Sequence, residues 1–375
     1  MTTTLQSLRR HWLFIAPLLL CLGCGDDSSP VKVVPLPSPF ITEVMSQSWL
    51  AIQQGDNVTV MRPDGTERTQ IADVGLHSWS PDANWLAVGP TPVSLSLYHP
   101  ESGATTPFYE NGWFGAWSPD AAHIAFTPRA GGELEIWSHD IASGERRFMG
   151  QGTATDWSSD GKWISAQWYP RDSPAFSTRW VHLIRADGSG DVTDLGGGLP
   201  KSFSSDGQWF LYVAGGFSDN EYRVVRIDSL ENVLLAKVRE TGPACWSPVD
   251  QSVAFGADGY QIRIGAPGRG SRIAATGSYQ QWSPDGQWLG FLGKPGALPT
   301  YLSIISSKGG GVIWGTETSG SFGWSPDSRL LAVAVPESAN SVGIYLIDPL
   351  TDERRRVADG DGVLWSPPIR ELTSP

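Results

Sequence analysis

The chain has 375 residues, with 39 acidic against 27 basic side chains and a net charge of −12. Removing the leader described below takes away Arg9 and Arg10 and no acid, leaving 25 bases against 39 acids, a charge of −14. That balance argues against a nucleic-acid binder, which needs a basic footprint. Three cysteines in a chain long enough to bury a large core argue against a disulfide scaffold.

In chain order, the first element is an export signal over residues 1–23. Arg9 and Arg10 form its positive start, and Trp12 to Gly23 form an apolar run too short to span a bilayer comfortably. Leu22-Gly23-Cys24 resembles the bacterial lipoprotein signal, which implies cleavage before Cys24 and lipid attachment to it. The alternative is a soluble secreted protein cut near the same place. Residues 24–45 are rich in Ser, Pro and Val without alternation and are expected to be a flexible tether. No second long apolar run follows. With Cys24 lipidated, Cys245 has no partner and is expected to be a small buried hydrophobe.

Residues 46–370 carry a repeat, followed by a short tail over 371–375. Trp-Ser-Pro-Asp and its variants recur at the anchors Trp79, Trp117, Trp157, Phe203, Trp246, Trp282, Trp324 and Trp365, at intervals of 38, 40, 46, 43, 36, 42 and 41 residues. Such a period marks a propeller or solenoid. In the Trp117 unit, Ala116–Ser118, His123–Thr127, Leu134–Trp137 and Arg146–Met149 read as four strands separated by turn residues. The Trp282 unit gives strands at Trp288–Leu292, Tyr301–Ile305 and Gly311–Trp314; the Trp324 unit gives them at Leu330–Val335, Gly343–Ile347 and Arg355–Val357. Four antiparallel strands per unit make a blade, so the expected fold is an all-β propeller. The two ends complement each other. Trp365 opens a unit with nothing after it, whereas Trp49–Ile52, Val58–Val60 and Arg68–Ile71 are three strands with no anchor before them. Pairing the C-terminal strand with these three gives eight blades and a closed ring; seven blades with one irregular unit is the alternative.

Trp282-Ser-Pro-Asp-Gly-Gln-Trp288, Trp157-Ser-Ser-Asp-Gly-Lys-Trp163 and Met61-Arg-Pro-Asp-Gly65 resemble the WD-like β-propeller repeats of the TolB family, across nearly all of residues 46–370. The resemblance implies a propeller in the bacterial cell envelope, in a family that spans envelope scaffolds, peptidase propellers and some lyases.

Candidate chemistry is sparse. Asp82, Asp120, Asp160, Asp206, Asp285 and Asp327 would share one end of the ring, either as an acidic collar or, as turn chemistry favours, as side chains bonded to nearby backbone. The anchor tryptophans are expected to be wedges between blades. Tryptophans outside the register, Trp113, Trp168, Trp180 and Trp314, are the better surface candidates. The longest insertion follows Trp168-Tyr169-Pro170, and a binding loop is expected there, using Trp168, Tyr169, Arg171, Arg179 and Trp180. His77, His99, His123, His139 and His182 are scattered over the units, with His123 in the position where most units carry a second tryptophan; no metal site is expected. Asp187-Gly-Ser-Gly-Asp191 starts like a calcium loop but has Gly198 where the bidentate acid belongs, so a hairpin turn is expected. Phosphate-loop and nucleophile-elbow motifs are missing.

These features predict a non-enzymatic, lipid-anchored, monomeric propeller on the periplasmic or outer-membrane face of a bacterial envelope. It would need no cofactor, bind an envelope protein or glycan, reach the membrane through its lipid, and avoid nucleic acid. The competing expectation is a lyase or hydrolase acting on a polysaccharide or peptide at the channel mouth.

Overall fold

The unit that joins the chain's two ends explains the architecture. Residues Leu50–Gln54 pair antiparallel with Gly362–Trp365 on one edge and with Asn57–Met61 on the other, and Thr69–Ile71 completes four strands. Ser366 Oγ accepts the N–H of Trp49, and Ser366 N–H donates to Trp49 O, 317 residues away in sequence. Within the Trp79 unit the same two bonds link Ser80 and Trp85. Trp49 is thus the second tryptophan of the repeat, supplied from the far end of the chain. The structure, a computed structural model, describes residues 40–89, 94–129, 133–169, 179–216, 219–293, 296 and 300–367.

The repeat motif folds the same way in six units. The motif serine donates its hydroxyl to the motif aspartate Oδ1 at 2.5–2.7 Å and accepts the backbone N–H of the residue six after the anchor at 2.8–3.0 Å. The same Oδ1 accepts the N–H two residues further on, at 3.0–3.2 Å. The residue after each aspartate has φ between 59° and 75°, which glycine takes at no steric cost and which Ala83, Ala121 and Ser328 also adopt. The aspartates therefore pin the turn between the first and second strands, as turn chemistry predicts. Neighbouring turns touch: Ser159 Oγ donates to Ser204 O, Ser205 Oγ to Ser247 O, and Asp285 N to Ser328 Oγ. The turns consequently lie at one end of the units, and the connectors from second to third strands lie at the other.

The protein is all-β. Its described residues form six four-stranded antiparallel sheets and one of seven strands, in which Val192–Phe203 serves as the fourth strand of the Trp157 unit and the first strand of the Phe203 unit. Helix among the described residues is limited to Glu43–Ser46 and a 3₁₀ turn at Asp258–Tyr260. Apolar side chains bury in eight clusters, each drawn from two successive units. One of these joins Leu330, Ala332 and Leu346 to Leu50, Ile52 and Trp365, so the Trp324 unit packs on the split unit.

Several boundaries differ from expectation. The first strand of the Trp117 unit begins at Gly112 rather than Ala116. Its sequence, Gly-Trp-Phe-Gly-Ala-Trp, has no alternation because a bulge between Phe114 and Ala116 resets the register. The fourth strand of the Trp282 unit lies at Trp314–Glu317, not 311–314, because Gly309 and Gly310, with φ of 104° and 119°, prolong the turn before it. The end of the expected tether is packed: Phe40 and Met45 are buried in the cluster with Trp365, and Thr42 Oγ1 donates to Asp327 Oδ2 at 2.7 Å. The N-terminal segment thus docks on the turn end.

Candidate binding surface

Two regions depart from the repeat. The first is the base of the long connector of the Trp157 unit. Trp163–Trp168 and Trp180–Arg185 pair in register, with Trp168 opposite Trp180. Trp168 and His182 fall on one sheet face and stack at 5.1 Å between ring centroids, 21° from parallel. Burial lowers the pKa of His182, and Asp194 Oδ1, 3.9 Å from Nε2, only partly opposes it. This favours a neutral ring that can both donate and accept a hydrogen bond. Trp180 Nε1 is buried without a hydrogen-bond partner among the described residues. Tyr169 is half-buried and Arg179 exposed, and Arg179 O accepts the Gly198 N–H at 2.7 Å. The structure therefore brings Trp168, Tyr169, Arg179 and Trp180 to one connector base. Arg171 and Cys24 lie outside the described residues.

The other tryptophans outside the register are tied up locally. Trp314 Nε1 donates to Asp352 Oδ1 at 2.9 Å, and Arg129 lies over the Trp113 ring at 5.6 Å. Asp187 Oδ1 accepts the N–H of Ser189, with Gly188 and Gly190 at positive φ, so this segment is a hairpin turn. Cys245 lies half-buried on a first strand, its Sγ 3.4 Å from Gln280 O, and burial pushes its thiol up to about 12. The thiol is therefore unreactive at neutral pH.

One described first strand holds a half-buried acid. Asp156 accepts the N–H groups of Phe203 and Trp157 at 2.8 and 2.9 Å, linking two neighbouring first strands. Burial raises its pKa to about 6, and these two donors do not fully offset that rise.

The second region is a cleft of about 500 Å³ between the Trp117 and Trp157 units, at the turn end. At five junctions the anchor indole N–H donates to the preceding first strand: Trp79 to Leu364 O, Trp117 to Ser78 Oγ, Trp246 to Ser202 O, Trp282 to Cys245 O and Trp324 to Gln281 O; Phe203 has no such donor, and Trp365 Nε1 is buried without a partner among the described residues. Trp157 instead donates to Gly161 O in its own turn, at 3.1 Å, and remains half-buried. On the facing unit, His123 stands where Trp85, Trp163, Trp209 and Trp288 stand elsewhere, and its Nε2 lies 3.3 Å from Asp140 Oδ2. The sequence signal for this cleft was the smaller ring at position 123. Histidines weighed only as metal ligands did not reveal it. Among the described residues, no group of three or more His, Cys, Asp or Glu is placed to hold a metal ion. None of the described helices is long and apolar enough to cross a membrane.

No protein-family model matches the chain, and no curated protein matches it. Solved structures do. It is similar to dihydro-heme d1 dehydrogenase NirN in complex with DHE, at a TM-score of 0.61 and 16% identity, covering 89% of this chain and 78% of that one. It is also similar to a prolyl endopeptidase, at 0.51 and 15%, covering 85% and 50%, and to TolB from Acinetobacter baumannii, at 0.43 and 12%, covering 84% and 81%. At these identities the likeness defines a fold class. Function must be argued from the site.

Proposed function

We propose that the protein is a non-enzymatic, lipid-anchored β-propeller of the bacterial cell envelope that binds an envelope protein or glycan. Its eight units form a closed ring of eight blades. Eight apolar clusters between successive units, one of them between the Trp324 unit and the split unit, support that count. Lipid on Cys24 tethers the monomer to the membrane, and the connector end with Trp168, Tyr169, Arg171, Arg179 and Trp180 carries the binding surface.

The observation behind this reading is the polarity of the units. The N-terminal segment docks on the turn end through Thr42 and Asp327, whereas the aromatic base formed by Trp168, Trp180 and His182 lies at the opposite end. A tether on one end leaves the other free for a partner. The test is capture from detergent-solubilised envelope using the full chain and a Trp168→Ala/Trp180→Ala variant. A partner retained by the native protein and lost by the variant supports the reading. Equal capture by both overturns the site, and failure of the native protein to retain anything overturns the binding role. Cys24→Ala moves the protein from the membrane to the soluble fraction; continued membrane retention overturns the anchor.

A further inference from the structure

We propose that the cleft between the Trp117 and Trp157 units is a binding site for a neutral sugar ring, separate from the connector surface. Its volume, about 500 Å³, lies within the range of about 300–1,000 Å³ for small-ligand sites. It exists because two repeat positions depart together, His123 in place of a second tryptophan and Trp157 turned onto its own turn.

The lining supplies what a pyranose needs. Trp157 offers an aromatic face, with the His123 ring 6.3 Å from it between centroids. Aromatic faces take the apolar face of a ring while polar groups bond its rim. Asp120 uses Oδ1 for Ser118 Oγ and Ala122 N, which leaves Oδ2 as an acceptor. The Arg147 guanidinium has no hydrogen-bond partner among the described residues. It lies flat over Gly188, where an added Cβ would sit 2.2 Å from its Cζ. Arg146 is committed to Phe108 O and the Tyr109 ring. Asp140 bonds Ser143 through Oδ1 and faces His123 through Oδ2.

Charge selects among polar ligands. Asp120, Asp140 and Glu145 face Arg146, Arg147 and His123 around one cleft. Three carboxylates and two guanidinium groups line the cleft. An anionic ligand gains Arg147 but meets the acids, and a cation meets the arginines. A neutral polyol can accept from a guanidinium and donate to the carboxylates through charge-assisted hydrogen bonds, and it brings no charge of its own into the cleft.

The test titrates the full chain with D-glucose, D-galactose and N-acetyl-D-glucosamine, with D-glucuronate and L-lysine as charged comparators. Binding is read by calorimetry and by the indole N–H resonance of Trp157, assigned with Trp157→Phe. Saturable binding of a neutral sugar that moves this resonance is expected. His123→Trp, which restores the residue usual at this position and fills the cleft, should keep the melting temperature and weaken binding at least tenfold. Arg147→Gln, at an exposed position outside the core, should weaken it several-fold and serves if His123→Trp misfolds. Three results overturn the proposal: saturation by none of the neutral sugars, binding by the charged comparators alone, or neutral-sugar affinity unchanged in both variants.

Discussion

The junction before Trp246 and the junction before Trp157 are made from the same repeat with opposite results. Trp246 is 9% exposed and donates its indole N–H across the junction to Ser202 O. Trp157 folds back on Gly161 and leaves a cleft. The anchor residue is the same at both places. What differs is its environment, which includes His123 where the facing unit would otherwise present a tryptophan. At these two junctions, the indole that bonds across closes the gap, and the indole that bonds its own turn leaves it open.

The closing junction tests the role of such contacts most severely. Removing residues 362–375 strips the partner strand from Leu50–Gln54 and exposes apolar surface packed against Val363 and Trp365. Their burial alone contributes on the order of 5 kcal/mol. Loss of a cooperative thermal transition, with aggregation on size exclusion, is expected; a cooperative melt near the native temperature refutes a load shared through this strand. Next comes the comparison itself. Trp246→Ala should cost about 3–5 kcal/mol and Trp157→Ala about 2 kcal/mol in chemical denaturation, because Trp157 is less buried and bonds only its own turn. Equal costs would erase the distinction.

Asp156 sharpens it through pH. Its folded pKa is raised above the unfolded value of 3.8 to about 6, because burial penalises the charged form. A raised folded pKa means that its contribution to stability is fully present below pH 3.8 and is lost as pH rises through about 6. Asp156→Asn removes the titration. The stability of the variant relative to the native chain should therefore rise by up to about 3 kcal/mol between pH 4 and 7. A difference flat with pH, measured by parallel urea titrations, would show that the carboxyl ionises freely in the fold. The smallest effect is local. Ala121 sits at φ 59° in the turn beside the cleft, and Ala121→Gly should stabilise by about 0.5 kcal/mol, seen as a slightly higher denaturation midpoint.

The units were legible because their signals are local. A serine, an aspartate two residues on and a residue free to take positive φ specify the turn, and alternating apolar residues specify the strands around it. The pairing of Trp365 with Leu50 was also readable, because each end of the chain carried the part of a blade that the other lacked. The register of the first strands was not legible. Bulges at His77, Gly115, Thr155 and Lys201 shift side chains between faces through contacts made with the neighbouring strand. The connector base was partly legible: Trp168 and Trp180 stood outside the repeat, whereas the stacking of His182 on Trp168 depends on cross-strand register. The cleft stayed hidden for a related reason. It arises from two residues in different units, each unremarkable in its own segment.

The split unit also sets an order on biosynthesis. Leu50–Gln54 is made long before Gly362–Trp365, the strand that fills one of its edges. Every nascent chain shorter than this carries an open strand edge ready to pair with another molecule. A shielding factor would therefore have to hold this edge until residues 362–365 are made, and a circularly permuted gene starting between two intact units would make it unnecessary.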